Sequence, residues 1–256
     1  MSKHQTVIDD IDIDRLWKKV VSGCDVPFDF EVSDSAIQKL NATLQKHRPA
    51  KCFAKNGDCP RLINCRLRKF VHSALKVATP AERSMLAHWI VEDWGRIWSR
   101  NPGMIDEWVN CLRNFSKNEL RAFVQNRSIG RIASWSKILS YADPSEFAIF
   151  DARVSAALNR CFHLMKIEER FPKLPSRNEV IRRLAEKPPN PTLSYVNYLR
   201  LLKRIVIGGH AKSILEAEMT IFANCQKLLG VPCFKQKSGV TAHSCKKAEL
   251  SKRRLA

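Results

Sequence analysis

The chain has no run of the roughly 18 apolar residues that a membrane-spanning helix needs, which excludes a transmembrane reading. Its first residues, MSKHQTVIDDIDIDRLW, carry acids where a secretory leader would carry a basic then an apolar stretch. A cytoplasmic chain is therefore expected. Glycine is scarce, nine in 256 residues, and stretches alternating apolar with polar are short. That argues against a turn-rich β architecture. Acids are few as well: 25 Asp and Glu against 44 Lys and Arg leave a net charge of +19. Nine cysteines, an odd number at irregular spacing, do not form a disulfide framework and read as reduced thiols.

What remains is helical, and the fold class is all-α. Ser33 or Asp34 is placed to cap a helix running to about Lys46. Thr79, Pro80 and Glu82 form a start signal, with proline at the first helical position and an acid in the first turn. From there to about Trp98, Met85, Leu86, Trp89, Ile90, Trp94, Ile97 and Trp98 share one broad face. Ser116 caps a helix over 117–125, and further helices are expected at 193–207 and 213–229. Residues 172–177 and 187–192 read as loops. The chain divides into an N-terminal helical segment (1–45), a basic cysteine-containing segment (46–78), a helical core (79–228) and a basic mobile tail (229–256).

The most informative stretch is 132–161, IASWSKILSYADPSEFAIFDARVSAALNRC. Ile132, Trp135, Ile138 and Leu139 lie on one helical face. Pro144 disfavours the helical conformation at Asp143 and ends that helix. Phe147, Ala148, Ile149 and Phe150 are apolar and expected to be buried. Asp151 follows, and Val154, Ala157, Leu158 and Cys161 form the next stripe. An Asp opening a helix is an N-cap. It is also what a rigidly held reactive carboxylate looks like, and the two roles are compatible, because one oxygen can cap while the other faces a ligand.

This arrangement resembles the helix-hairpin-helix DNA glycosylases (endonuclease III and the adenine-mismatch and 8-oxoguanine enzymes), closest to the divergent bacterial 8-oxoguanine-glycosylase-like branch. Ser128-Ile129-Gly130-Arg131 stands where the hairpin would be, 143–150 where the loop would be, and Asp151 where the family's catalytic Asp opens a helix. Trp94 with Gly95, and Glu218-Met219-Thr220-Ile221-Phe222, are similar to further features of that branch. The clear similarity covers about 30 residues, with weaker matches from Glu82 to Phe222.

The resemblance implies helical domains around a central cleft. It implies an enzyme that flips a damaged or modified base out of duplex DNA and cleaves its N-glycosidic bond. Bond cleavage builds positive charge on the sugar, which a fixed carboxylate stabilises, so Asp151 is the expected catalytic residue. In lyase-competent members a Lys near the start of the preceding helix attacks the sugar. Here those positions hold Ile132 and Ala133, and the helix's one Lys, Lys137, lies 14 positions before Asp151. On an ideal helix that is about 6 Å further along the axis. Lys137 is the second catalytic candidate, and a water-dependent, monofunctional reaction leaving an abasic site is the expectation. Gly130, Arg131 and Arg153 are the candidate DNA contacts. Trp135, Phe147, Phe150, Glu92 and Asp93 are candidates for stacking on, or hydrogen bonding to, an extruded base. The substrate is an oxidised purine or a modified base of foreign DNA, such as a phage pyrimidine.

The charge fits a nucleic-acid partner. Residues 44–76 carry nine basic residues and one acidic, and 235–256 carry seven and one. A monomer acting on double-stranded DNA without a cofactor is the expected state. Cys52, Cys59 and Cys65, with His47 and His72 nearby, leave zinc as an alternative, but no C-x2-C knuckle is present. Two other functions stay open: a non-catalytic DNA-binding module of the same fold, and a zinc-stabilised RNA-binding protein centred on 44–76.

Overall fold

The computed structural model describes residues 3–22, 30–44, 59–98, 101, 103–127, 130–185 and 191–230, and every regular element among them is a helix. The order is α1 (Lys3–Asp10), α2 (Ile13–Val21), α3 (Asp34–Thr43), α4 (Pro60–Val77), α5 (Pro80–His88), α6 (Gly103–Cys111), α7 (Lys117–Gln125), α8 (Ile132–Ala142), α9 (Ala152–Met165), α10 (Glu179–Leu184), α11 (Tyr195–Ile207) and α12 (Ile214–Leu228). No helix among the described residues is long and apolar enough to cross a membrane. The tail from 231 onward, and Cys52 and His47 of the cysteine-containing segment, lie outside the described residues.

Local signals set most of the helix starts. Thr79 accepts from the Glu82 backbone N–H while the Glu82 carboxylate accepts from the Thr79 N–H, a reciprocal cap that opens α5. Ser116 and Glu119 do the same for α7, and Ser33 caps α3. α5 does not run as an α-helix to Trp98. It ends at His88, and Trp89–Trp94 continue as a wider π-helical turn. Such turns insert one extra residue per turn and shift every later side chain around the axis.

The core is continuous. α8 is its axis, with each residue of Ile132–Ala142 except Ala133 buried. α4 and the π turn pack on α8, while α9 lies along α12, which also touches α11 and α2. The segment 143–150 joins α8 to α9 without regular structure, so its backbone groups must find other partners. They do: the Tyr195 hydroxyl donates to the Ala148 carbonyl at 2.7 Å, Tyr198 to the Ile149 carbonyl at 3.0 Å, and the Phe150 N–H to Ser136 Oγ at 3.1 Å. Phe147, Ala148, Ile149 and Phe150 are all buried, as their composition predicts. Phe150 sits among Phe171, Tyr195 and Tyr198.

Because Tyr198 holds the connection just before α9, Tyr198→Phe is expected to leave the Ile149 carbonyl buried and unpaired. The expected cost is about 1–3 kcal/mol, read as a lower urea midpoint at unchanged m-value. A variant with wild-type stability would show that this carbonyl finds another donor.

Candidate active site

One cavity of about 720 Å³ opens where six parts of the chain converge: the starts of α8 and α9, the end of the π turn, the loop before α10, and α4 and α12, which form the floor. That volume suits a small-molecule-sized group. Its aromatic walls are Phe30, Trp94 and Phe222. Its lining holds two carboxylates, Asp151 and Glu218, against seven Lys and Arg side chains. Lys137 and Arg68 are buried, whereas Arg96, Arg131, Arg153, Lys173 and Arg177 are not. The cavity therefore attracts an anion at its mouth.

Asp151 is half-buried at the start of α9, with φ −118° and ψ −175°. Its Oδ1 accepts from the Arg153 and Val154 backbone N–H groups at 3.0 and 3.1 Å. Both capping bonds fall on Oδ1, and Oδ2 has no hydrogen bond among the described residues. Asp151 thus caps the helix with one oxygen while lining the cavity.

Lys137 reaches the same cavity from α8. It is 5% exposed, its Nζ lies 5.8 Å from the Trp94 ring centroid, and it forms no ion pair with Asp151. Burial is the strongest influence on it and lowers its pKa below the usual lysine range. The charges of Asp151 and Glu218 oppose that lowering, and Arg68 adds to it. A lysine less ready to hold its proton offers more of the neutral, nucleophilic amine than an exposed one.

Room for that side chain comes from Gly95. A Cβ there would fall 2.8 Å from Lys137 Cδ, and 2.6 and 2.8 Å from the Val91 and Ile90 carbonyl oxygens. The π turn brings the backbone of residue 95 against the lysine stem, and only glycine permits that approach.

Beneath the lysine lies a buried ion pair. Arg68 and Glu218, 2% exposed each, make a two-pronged contact, Nη1 to Oε2 at 2.7 Å and Nη2 to Oε1 at 2.9 Å. Glu218 Oε2 also accepts from the Ile149 N–H at 3.0 Å, two residues before Asp151. The guanidinium lies 5.6 Å from the Trp94 ring and 5.7 Å from Tyr141. Burial would lower the Arg68 pKa, but Glu218 outweighs burial and raises it, so the charge is fixed. Asn64 sets the aromatic walls: its Nδ2 donates to the Phe30 carbonyl at 2.8 Å, and its Oδ1 accepts from Trp94 Nε1 at 3.0 Å.

The structure gathers some of the residues singled out by sequence and not others. Asp151, Lys137, Gly130, Arg131 and Arg153 all line the cavity. Arg131 caps α8 with a left-handed φ of 57°, and the Arg153 guanidinium lies 4.6 Å over the Phe222 ring. Ser128 and Ile129 of the hairpin lie outside the described residues. Trp135, Phe147 and Phe150, expected at an extruded base, are core residues outside the lining. The Trp135 ring turns to Phe123 and Tyr195, and its Nε1 donates to the Gly130 carbonyl. Glu92 and Asp93 are outside it too. Glu92 meets His88 one turn back and Asp93 pairs with Lys39, because the π turn carries both away from the cavity.

Sequence reasoning passed over Arg68, Asn64 and Phe30, took Arg96 only as a possible partner for Glu92 or Asp93, and recorded Gly95, Glu218 and Phe222 only as parts of a resemblance. Arg68 and Glu218 did leave a signal: each is the one charged residue on the buried face of its helix, where an unpaired ion is costly. As for metal, among the described residues no group of three or more His, Cys, Asp or Glu is arranged to hold an ion. Cys59 is buried at the start of α4, the Cys65 thiol donates to Met219 Sδ, and His72 Nδ1 is bonded to the Ala142 carbonyl.

Gly95→Ala is expected to cost about 1–3 kcal/mol by overpacking. Shortening Lys137 removes one of the three clashes, so Gly95→Ala with Lys137→Ala should be less destabilising than the two single changes added together. Strict additivity in denaturant melts would show that the glycine does not serve the lysine. No protein-family model, curated protein or solved structure matches the chain, so its chemistry is read from its own side chains.

Proposed function

We propose that the chain is a DNA N-glycosylase that takes a damaged or modified base into the cavity and cleaves its bond to the sugar. The observation that carries this reading is the meeting of Asp151 and Lys137 on one cavity whose mouth is ringed by cations. The ring of arginines suits the phosphates flanking an extruded nucleotide. The aromatic walls suit the face of a base, and the resemblance around Asp151 points to the same chemistry.

In this reading Asp151 stabilises the positive charge that builds on the sugar as the base departs. Sequence spacing argued for water as the nucleophile. The position of Lys137 favours its amine instead. The neutral amine attacks C1′ of the sugar, the C1′–N bond breaks, and its electron pair leaves with the base. Asp151 takes the proton shed by the attacking nitrogen. Asp151 returns that proton to O4′ as the C1′–O4′ bond breaks, and the nitrogen lone pair closes a Schiff base between Lys137 and C1′, which borohydride reduces to a stable adduct.

The test is to incubate purified protein with duplexes carrying oxidised purines and with genomic DNAs carrying modified pyrimidines, then count abasic sites and trapped adducts. Asp151→Asn is expected to lose on the order of 10²-fold or more in base release. DNA affinity should hold within a few-fold, and folding should survive because Asn also caps a helix. Full activity in folded Asp151→Asn would sink the role given to Asp151. DNA binding with no base release from any duplex would favour the non-catalytic module.

Lys137→Met is expected to abolish the adduct and raise the melting temperature at neutral pH, because it removes a buried amine whose charged form burial disfavours. The unfolded chain holds the Lys137 proton more tightly than the folded one. Wild-type stability should therefore rise with pH between the depressed pKa and the ordinary value of 10.5, and the variant should lose that rise. Base release without an adduct in the wild type would return the reaction to water.

A further inference from the structure

We propose that the buried Arg68–Glu218 pair positions the reactive groups, holding the backbone that leads into Asp151 and setting the charge that the Lys137 amine faces. The proposal rests on Lys137 being the nucleophile. The first half follows from geometry. Glu218 of α12 grips Arg68 of α4 with both oxygens, and one of them also accepts the Ile149 N–H. Three distant parts of the chain thereby meet on one carboxylate immediately before Asp151.

The second half follows from which charges surround Lys137. Asp151 faces it from the start of α9, Glu218 from α12 and Arg68 from α4. The Trp94 ring carries both cations, Lys137 Nζ at 5.8 Å and the Arg68 guanidinium at 5.6 Å. From its own helix Tyr141 stacks on Arg68, and Arg96, Arg131 and Arg153 line the same cavity. Were Glu218 unpaired, a buried lysine beside it would hold its proton and lie against the carboxylate. Arg68 prevents this by taking both oxygens. Lys137 is left without a buried salt bridge, and its amine stays in the cavity with Asp151. Packing alone does not call for the pair, since apolar side chains of similar volume commonly stabilise a core at least as well as a buried ion pair.

Opposite changes should therefore move the Lys137 amine in opposite directions. Glu218→Gln leaves the Arg68 charge uncompensated, so Lys137 should lose its proton at lower pH. Arg68→Met leaves the Glu218 charge uncompensated, so Lys137 should keep its proton to higher pH. Each shift should be on the order of one pH unit for a charge at this range. The double variant, which keeps an acceptor for the Ile149 N–H, should return towards wild type.

The readout is the rate of reductive methylation of Lys137 by formaldehyde and cyanoborohydride in the full-length protein. It is followed from pH 6 to 11 (roughly the span over which a perturbed lysine titrates) and located by peptide mass spectrometry. It needs no DNA. Shifts of opposite sign support the proposal. Unchanged curves, or shifts of the same sign, in folded variants overturn it. If the arginine variants do not fold, near-isosteric Glu218→Gln decides alone: a downward shift supports the proposal and an unchanged curve overturns it. The pH profile of the borohydride adduct on DNA, run in parallel, should move with the methylation curve. Opposite shifts in methylation with no base release from any DNA would leave the pair's action on Lys137 standing and remove the glycosylase reading. Base release with unmoved methylation curves would do the reverse.

Discussion

The contact between Arg68 and Glu218 is the constraint on which the site depends. Removing two ions from water costs several kcal/mol each, and their attraction offsets this only where the geometry is good and the remaining polar atoms are satisfied. Here the geometry is two-pronged and Glu218 takes a third hydrogen bond from the Ile149 backbone. Breaking one partner would leave the other charged in the core beside Trp94, Tyr141 and Lys137. The pair is thus a poor source of net stability and a strong source of position. It admits one register between α4, α12 and the irregular run before α9, and that register is what aims Asp151.

A second constraint is steric. α8 is enclosed on nearly all sides, so a lysine on it has no route to bulk water except through a gap between neighbours. The π turn makes that gap. Its extra residue carries Glu92 and Asp93 away and brings residue 95 against the lysine stem, where any Cβ would collide. The Trp94 indole then covers both Lys137 and Arg68 with the face of its ring, a favourable site for a cation. Burial of the amine, its lowered proton affinity and its opening to the cavity are consequences of one local change in helical pitch.

What could be read from sequence was local. The break at Pro144, the caps at Thr79, Ser116 and Ser33, and the start of α9 at Asp151 each depend on a few neighbouring residues, and each is present. What depended on distance was not legible. Aromatic character marks Trp135, Phe147 and Phe150 for burial, but it cannot say whether the buried face meets a core or a cavity, and all three went to the core. The walls came instead from Phe30, Trp94 and Phe222, which helix packing and Asn64 bring together. Counting residues put Lys137 about one helical turn beyond the family position, but could not say that its side chain reaches the cavity that Asp151 lines. A lysine stem spans about 6 Å, comparable to one helical turn. The Arg68–Glu218 pair joins residues 150 positions apart, and only the two lone charges on buried helix faces hinted at it.

The mouth and the depth of the cavity differ sharply in charge and in backbone strain. At the mouth, Arg96 and Arg131 hold left-handed backbone conformations, φ 53° and 57°. For a residue with a Cβ this costs roughly 1–2 kcal/mol. Glycine would relieve that strain, and each arginine directly follows one. The two strained arginines stand on one rim, while Phe115 and Lys166 hold the same conformation away from the cavity. In the depth, the charges nearly cancel: Arg68 answers Glu218, leaving Lys137 and Asp151 facing each other without pairing. The charges felt by Lys137 are those of the depth: burial disfavours its cation most, Asp151 and Glu218 oppose that, and Arg68 adds to it. Exposed cations line the opening and a balanced pair fills the floor, so the cavity passes from strongly positive at its mouth to nearly neutral around Lys137 and Asp151.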